Sequence, residues 1–172
     1  MTPNPEAEAR VAIDAMLVAA GWIVQDMTAV NLSAGRGVAV REFRLKTGHG
    51  SADYLLFVDM QAVGVLEAKK IGTTLTGVEV QAEKYSVGYP DDLPAPYRPL
   101  PFLYQSTGVE TRFTNLFDPD PRSRQVFAFH RPETLAEWRE QPDTLRARLA
   151  QMPFAHPLTS EGMRDCQVEG IT

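Results

Sequence analysis

One cysteine, three histidines and the lack of any long apolar run set the first limits on this 172-residue chain. Cys166 alone cannot close an intramolecular disulfide, and no Cys/His spacing matches a zinc site. His49, His130 and His156 are scattered, with no serine or cysteine elbow beside them, so a hydrolase triad has no support. There is no glycine-rich loop ending in Lys-Ser or Lys-Thr, and no dinucleotide fingerprint. No stretch reaches the roughly 20 apolar residues of a membrane helix. Met1–Glu8 lacks the basic and apolar regions of a signal peptide. These absences predict an intracellular, cytoplasmic protein without a membrane partner. The net charge of −5 argues against a domain that coats DNA by charge alone. It leaves room for a nuclease that presents a metal and a few lysines to phosphates.

What is present begins with a helix. Over residues 3–20, Ala9, Ile13, Met16, Leu17 and Ala20 form an apolar stripe, and Gly21 is a C-terminal stop. Glu6, Glu8 and Asp14 read as its solvated face. Trp22-Ile23-Val24 opens a short extended piece, residues 28–37 read as a loop, and Val38–Leu45 alternates like a strand. Gly48-His49-Gly50 is a turn. Later strands are expected at Phe102–Thr107, Thr111–Leu116 and Gln125–Phe129, with a turn at Asp118–Pro121 and a structural His130 at a strand end. Five prolines between Pro90 and Pro101 rule out helix or central strand there. Leu135, Trp138, Leu145 and Leu149 mark two short helices over 132–151, broken at Pro142. Thr76 and Glu79 have the capping-box spacing, which predicts a helix from Gly77 to about Gly88.

The centre of the chain is Ala52–Tyr85, read as strand, turn, strand, loop and helix. Acidic and lysine side chains beside apolar strand runs require partners or a task. A hairpin closed by Asp59, Met60 and Gln61, with Val58 facing Ala62, pairs residues whose numbers sum to 120. Asp53 then lies opposite Glu67, and Asp53, Leu55, Phe57, Val63, Val65, Glu67 and Lys69 share one face. Opposed Cβ atoms stand roughly 5 Å apart. Two carboxylates at that distance repel unless a cation lies between them or one is protonated. A divalent metal is the economical answer. Mg²⁺, or Mn²⁺ in its place, needs only one or two protein carboxylates because it keeps several waters. Asp53 and Glu67 supply them, the Ala68 carbonyl adds a third oxygen, and Lys69 orients or deprotonates the attacking water. The bland alternative is a half-exposed charge cluster at a sheet end.

Gly50-Ser51-Ala52-Asp53-Tyr54, Val65-Leu66-Glu67-Ala68-Lys69 and Gln81-x-x-x-Tyr85 resemble the PD-(D/E)xK nuclease superfamily. More closely, they are similar to the amino-terminal endonuclease domain of the R (restriction and translocation) subunit of type I restriction enzymes. The similarity extends to the Glu8-Ala9-Arg10 helix ending at Gly21-Trp22 and to Val126-Phe127-Ala128-Phe129. It implies an α/β fold, with a restriction-endonuclease-like core of mixed sheet flanked by helices. It implies Asp53 and Glu67 as metal ligands, Lys69 as catalytic, Gln81 and Tyr85 near DNA phosphates, and Glu8 as an auxiliary outer contact. Ser51 departs from the pattern, which often has a basic residue there.

The implied activity is Mg²⁺-dependent cleavage of double-stranded DNA without sequence preference of its own. Recognition and methylation then belong to specificity and methyltransferase partner subunits. Met163–Ile171 is similar to the start of the ATP-driven motor, which divides the chain into a nuclease domain (1–152) and a linker with a truncated motor (153–172). ATP is expected only in the full-length subunit. Two other readings share the motif: a non-catalytic docking or DNA-gripping module, and a repair or recombination nuclease with the same core.

Overall fold

The computed structural model describes residues 5–75, 88–141 and 143–151. Gln81, Tyr85 and the tail from residue 153 lie outside them, as does the predicted boundary between domains. The apolar stripe of the first helix forms as its spacing predicts. In α1 (Pro5–Ala19), Ala9, Ile13 and Leu17 are buried, and Met16 packs beside them. Gly21, at φ +91°, ends the helix with two paired bonds. Its own N–H donates to the Val18 carbonyl, and the Trp22 N–H donates to that of Leu17. Only a left-handed residue lets both carbonyls be satisfied.

Among the described residues, seven strands follow in one sheet, ordered as in the chain. They are β1 (Ile23–Asp26), β2 (Gly37–Arg44), β3 (Ser51–Val58), β4 (Gln61–Ala68), β5 (Phe102–Ser106), β6 (Thr111–Asn115) and β7 (Arg124–Val126). β1 with β2 and β4 with β5 run parallel, and the other neighbours are antiparallel, so the sheet is mixed as expected. Two short helices, α2 (Pro132–Glu140) and α3 (Leu145–Ala150), flank the predicted break. On one face α1 and α2 cover Tyr54, Leu56, Leu66, Phe102 and Tyr104. On the other, Val40, Phe43, Leu55, Phe57, Val65 and Leu103 are capped by Tyr89, Leu93 and Leu100. The proline-rich segment is therefore neither helix nor strand, yet it lids a core. Among the described residues no helix is long and apolar enough to cross a membrane.

The central hairpin corrects the expected turn. Its loop has two residues, Asp59 and Met60, at φ +49° and +63°, and Val58 pairs with Gln61. Left-handed conformations at both turn positions match the twist of the flanking strands. Asp59 tolerates this while bound by Arg36 and Arg139, each at 3.3 Å. A bulge between Leu56 and Phe57 then restores the expected sum, with Leu56 facing Gly64, Leu55 facing Val65 and Tyr54 facing Leu66. One extra residue inverts the alternation. Val63 consequently packs with Leu66 on the α1 side, and Ala62 takes the place expected for Val63 beside Phe57. The last strand is also shorter than the expected 125–129, because Phe127 turns fully outward.

At the bulge, Gly64 lies against β5. A Cβ there would stand 2.4 Å from the Phe102 carbonyl oxygen. Gly64→Ala should therefore cost about 1–3 kcal/mol through forced backbone displacement, read as a lower midpoint in urea unfolding.

His130 has the structural role expected for it, but it stands four residues past the end of β7 and not at a strand end. Its Nδ1 is 2.7 Å from the Tyr104 hydroxyl, and its carbonyl accepts from Trp22 Nε1 at 2.9 Å. Burial lowers its pKa below the ordinary 6.5. The unfolded chain thus takes up this proton more readily than the folded one. The associated stability is complete above about pH 6.5 and is lost as pH falls below that value toward the folded pKa. Unfolding free energies at pH 7 and 5 should differ less in His130→Gln than in the parent chain.

Candidate active site

β3 and β4 bring the two acidic motifs to the open end of the hairpin, away from the turn. The β3–β4 ladder ends at Tyr54 and Leu66, one step before the expected Asp53–Glu67 pair. The Asp53 side chain reaches across instead, its Oδ2 accepting the Ala68 backbone N–H at 3.0 Å. Its Oδ1 accepts from Arg10 Nη2 of α1 at 2.8 Å. Burial raises the Asp53 pKa, and the repulsion of Glu67 adds to this. The Ala68 N–H, Arg10 and Lys69 act the other way, and the net direction is upward. Asp53 therefore sits within the fields of both Glu67 and Lys69.

Glu67 is shielded, with 15% of its side chain exposed, and Lys69 Nζ lies 2.8 Å from its Oε2. The Lys69 N–H donates to the Ser106 carbonyl on β5. Ala68 turns the other way, toward Asp53. In a strand the N–H and C=O of one residue point to the same neighbour, so the Ala68 carbonyl faces the Asp53 side as well. Two carboxylates, one carbonyl and one ammonium thus converge on one hairpin end. This all-oxygen donor set fits a hard divalent cation that keeps part of its water. Asp53, Glu67 and Ala68 are the residues that would hold it.

Several contributors carry no signal in the motif. Arg10 bridges Asp53 to Glu42, whose Oε1 is 2.6 Å from Nη1. Glu42 itself is left-handed, at φ +49°, where the β2–β3 pairing skips between Arg41–Tyr54 and Phe43–Ala52. Asp14 is not on a solvated face as expected. It accepts Nη2 and Nε of Arg41 at 2.7 and 3.2 Å, and the Tyr54 hydroxyl at 2.9 Å. Arg41 also reaches Asp26 at 2.9 Å. The i, i+4 spacing of Arg10 and Asp14 beside the buried stripe was the available clue, since it aims both at the sheet. Glu8 is exposed, as its solvated reading implies.

Residues 27–98, which span β2 to β4 and the hairpin motifs, match the family model described as type I restriction enzyme EcoKI endonuclease subunit second domain. Among solved structures, the chain resembles a fragment of an HsdR subunit of a type I restriction enzyme from Vibrio vulnificus YJ016, with a TM-score of 0.59 at 18% identity. The alignment covers 83% of this chain and 27% of that one. No curated protein matches the chain. The family model thus falls on residues that carry the resemblance to these subunits, and the structural likeness is one of fold, a mixed sheet flanked by helices as expected.

The Asp14 cluster ties α1, and with it Arg10, to the hairpin. Asp14→Ala should cost about 1–3 kcal/mol, because it strands the Tyr54 hydroxyl and part of Arg41. Tyr54→Phe added to it should cost little more, since both changes break one network. Urea unfolding of the two single variants and the double variant measures the coupling.

Proposed function

We propose that this chain is the DNA-cutting domain of a type I restriction enzyme R subunit, hydrolysing double-stranded DNA with Mg²⁺ and without sequence specificity of its own. The observation that carries the reading is the convergence of Asp53, Glu67 and Lys69, with Asp53 bonded to the Ala68 backbone at 3.0 Å. Divalent-metal hydrolysis of a phosphodiester needs this inventory: oxygen ligands for the cation and a group to handle the water or the leaving charge. A bound cation would polarise the phosphoryl oxygen there. Asp53 and Glu67 supply its ligands, and the Lys69 ammonium, 37% exposed, is accessible to substrate. Gln81 and Tyr85 complete the proposal as phosphate-positioning residues, and Glu8 as an auxiliary outer contact. Target recognition and methylation fall to partner subunits, and ATP-driven translocation to a motor beyond residue 152.

A second reading is a docking module that keeps the fold without the chemistry. Arg10 on Asp53 and Lys69 on Glu67 favour it, because these ion pairs neutralise both carboxylates without a metal. The two readings part on one experiment. In the complete R subunit assembled with its partners, Lys69→Ala should lower plasmid cleavage about 10²–10⁴-fold while ATP hydrolysis continues. Cleavage at the parent rate would overturn the nuclease assignment.

A further inference from the structure

Several buried side-chain polar atoms lack hydrogen-bond partners among the described residues, and two of them belong to one amide in register with Glu67. Gln105, on β5, is 1% exposed, and neither its Nε2 nor its Oε1 has a hydrogen-bond partner among the described residues. Such an amide, with two donors and an acceptor, loses its water on folding and regains nothing. An apolar residue of the same size would serve the fold better at this position. Leu103, two residues earlier, is packed in the apolar layer.

Its place in the sheet supplies a reason. Glu67 and Gln105 are register partners across the parallel β4–β5 pair. No irregularity interrupts that ladder, and Val65 and Leu103, one step back on each strand, lie in the same apolar cluster. Alternation carries Glu67 and Gln105 to that same face, side by side and about 5 Å apart. Gln105 is also the deeper of the two, since Glu67 keeps 15% of its side chain exposed. With its amide atoms enclosed, Gln105 can act on a cation only alongside Glu67, through a water admitted with the ion.

We propose that Gln105 is a positioning residue for the cation site: standing beside Glu67, its amide finds its missing partner in the hydration shell of a divalent ion bound there. This rests on the nuclease reading of Asp53 and Glu67 and adds the group behind them. Outer-shell partners of this kind are worth on the order of tenfold or more in metal affinity.

Mn²⁺ binding to the 172-residue chain tests it, by calorimetry or by loss of the free-ion electron paramagnetic resonance signal. Gln105→Leu and Gln105→Met should each bind on the order of tenfold more weakly. Without metal, both should melt at or above the parent temperature, because an unpaired buried amide has been removed. Parent-like Mn²⁺ affinity in both variants overturns the proposal. So does a lower metal-free melting temperature in both, or failure of both to fold, which would mean that the amide is already satisfied without the ion. Glu67→Gln separates this from the larger reading. If the parent chain binds Mn²⁺ no better than Glu67→Gln, the metal site itself fails, and the role of Gln105 with it.

Discussion

A carboxylate drawn partly out of water needs compensating charge or protons, and Asp53 is held by both a backbone donor and a guanidinium. Burial pushes its pKa upward, with the Ala68 N–H and Arg10 opposing. Much of the surrounding architecture follows from that need. The Ala68 N–H comes to Oδ2 just past the last β3–β4 ladder pair. Arg10 reaches Oδ1 because α1 is anchored across the sheet by Asp14, Arg41 and Tyr54. Glu42 then takes the other half of the guanidinium, from a left-handed position where β2 and β3 interrupt their pairing. These are partly exposed pairs, so their value lies more in fixing geometry than in net stabilisation.

The hairpin meets this need through a register that is not uniform along its length. Near the turn, two residues and a bulge replace the simple three-residue loop. Past the bulge the pairing has the sum that brings the acidic motifs to one end. The extra residue is absorbed where Gly64 lets β5 approach closely. One consequence is that the apolar residues on the two sides of β4 exchange roles at Val63, while Val65 and Glu67 keep the faces that alternation assigns them. The site is insulated from the irregularity that closes the turn.

Most of the architecture was legible because it depends on local periodicity. The stripe of α1, the seven strands, the proline-rich connection and the two short carboxyl-terminal helices all have spacing signals of their own. The turn was misjudged because Asp59 and Met60 are not residues that advertise left-handed conformations, as Asn-Gly would. Asp14 was misjudged for a different reason. A carboxylate beside an apolar stripe looks solvated until the position of Arg41, 27 residues away, is known. Arg10, Glu42 and Gln105 share that difficulty, since each takes its meaning from a neighbour on another element. The placement of Asp53, Glu67 and Lys69 at one hairpin end was legible because charges are costly at the ends of apolar runs.

The distribution of polarity along the sheet bears on what the fold can support. On the α1 face of β5 and β6 the packing is aromatic, with His130 against Tyr104, Phe113 and Trp138. At the open hairpin end, carboxylates, guanidinium groups, an ammonium and a buried amide are crowded together. A structural charge cluster satisfies itself, and Arg10 and Lys69 take both acids some way in that direction. Gln105 is the member of that neighbourhood that ion pairing does not account for. Packing alone favours an apolar side chain there, so its retention beside Glu67 weighs toward a site that is completed from outside the chain.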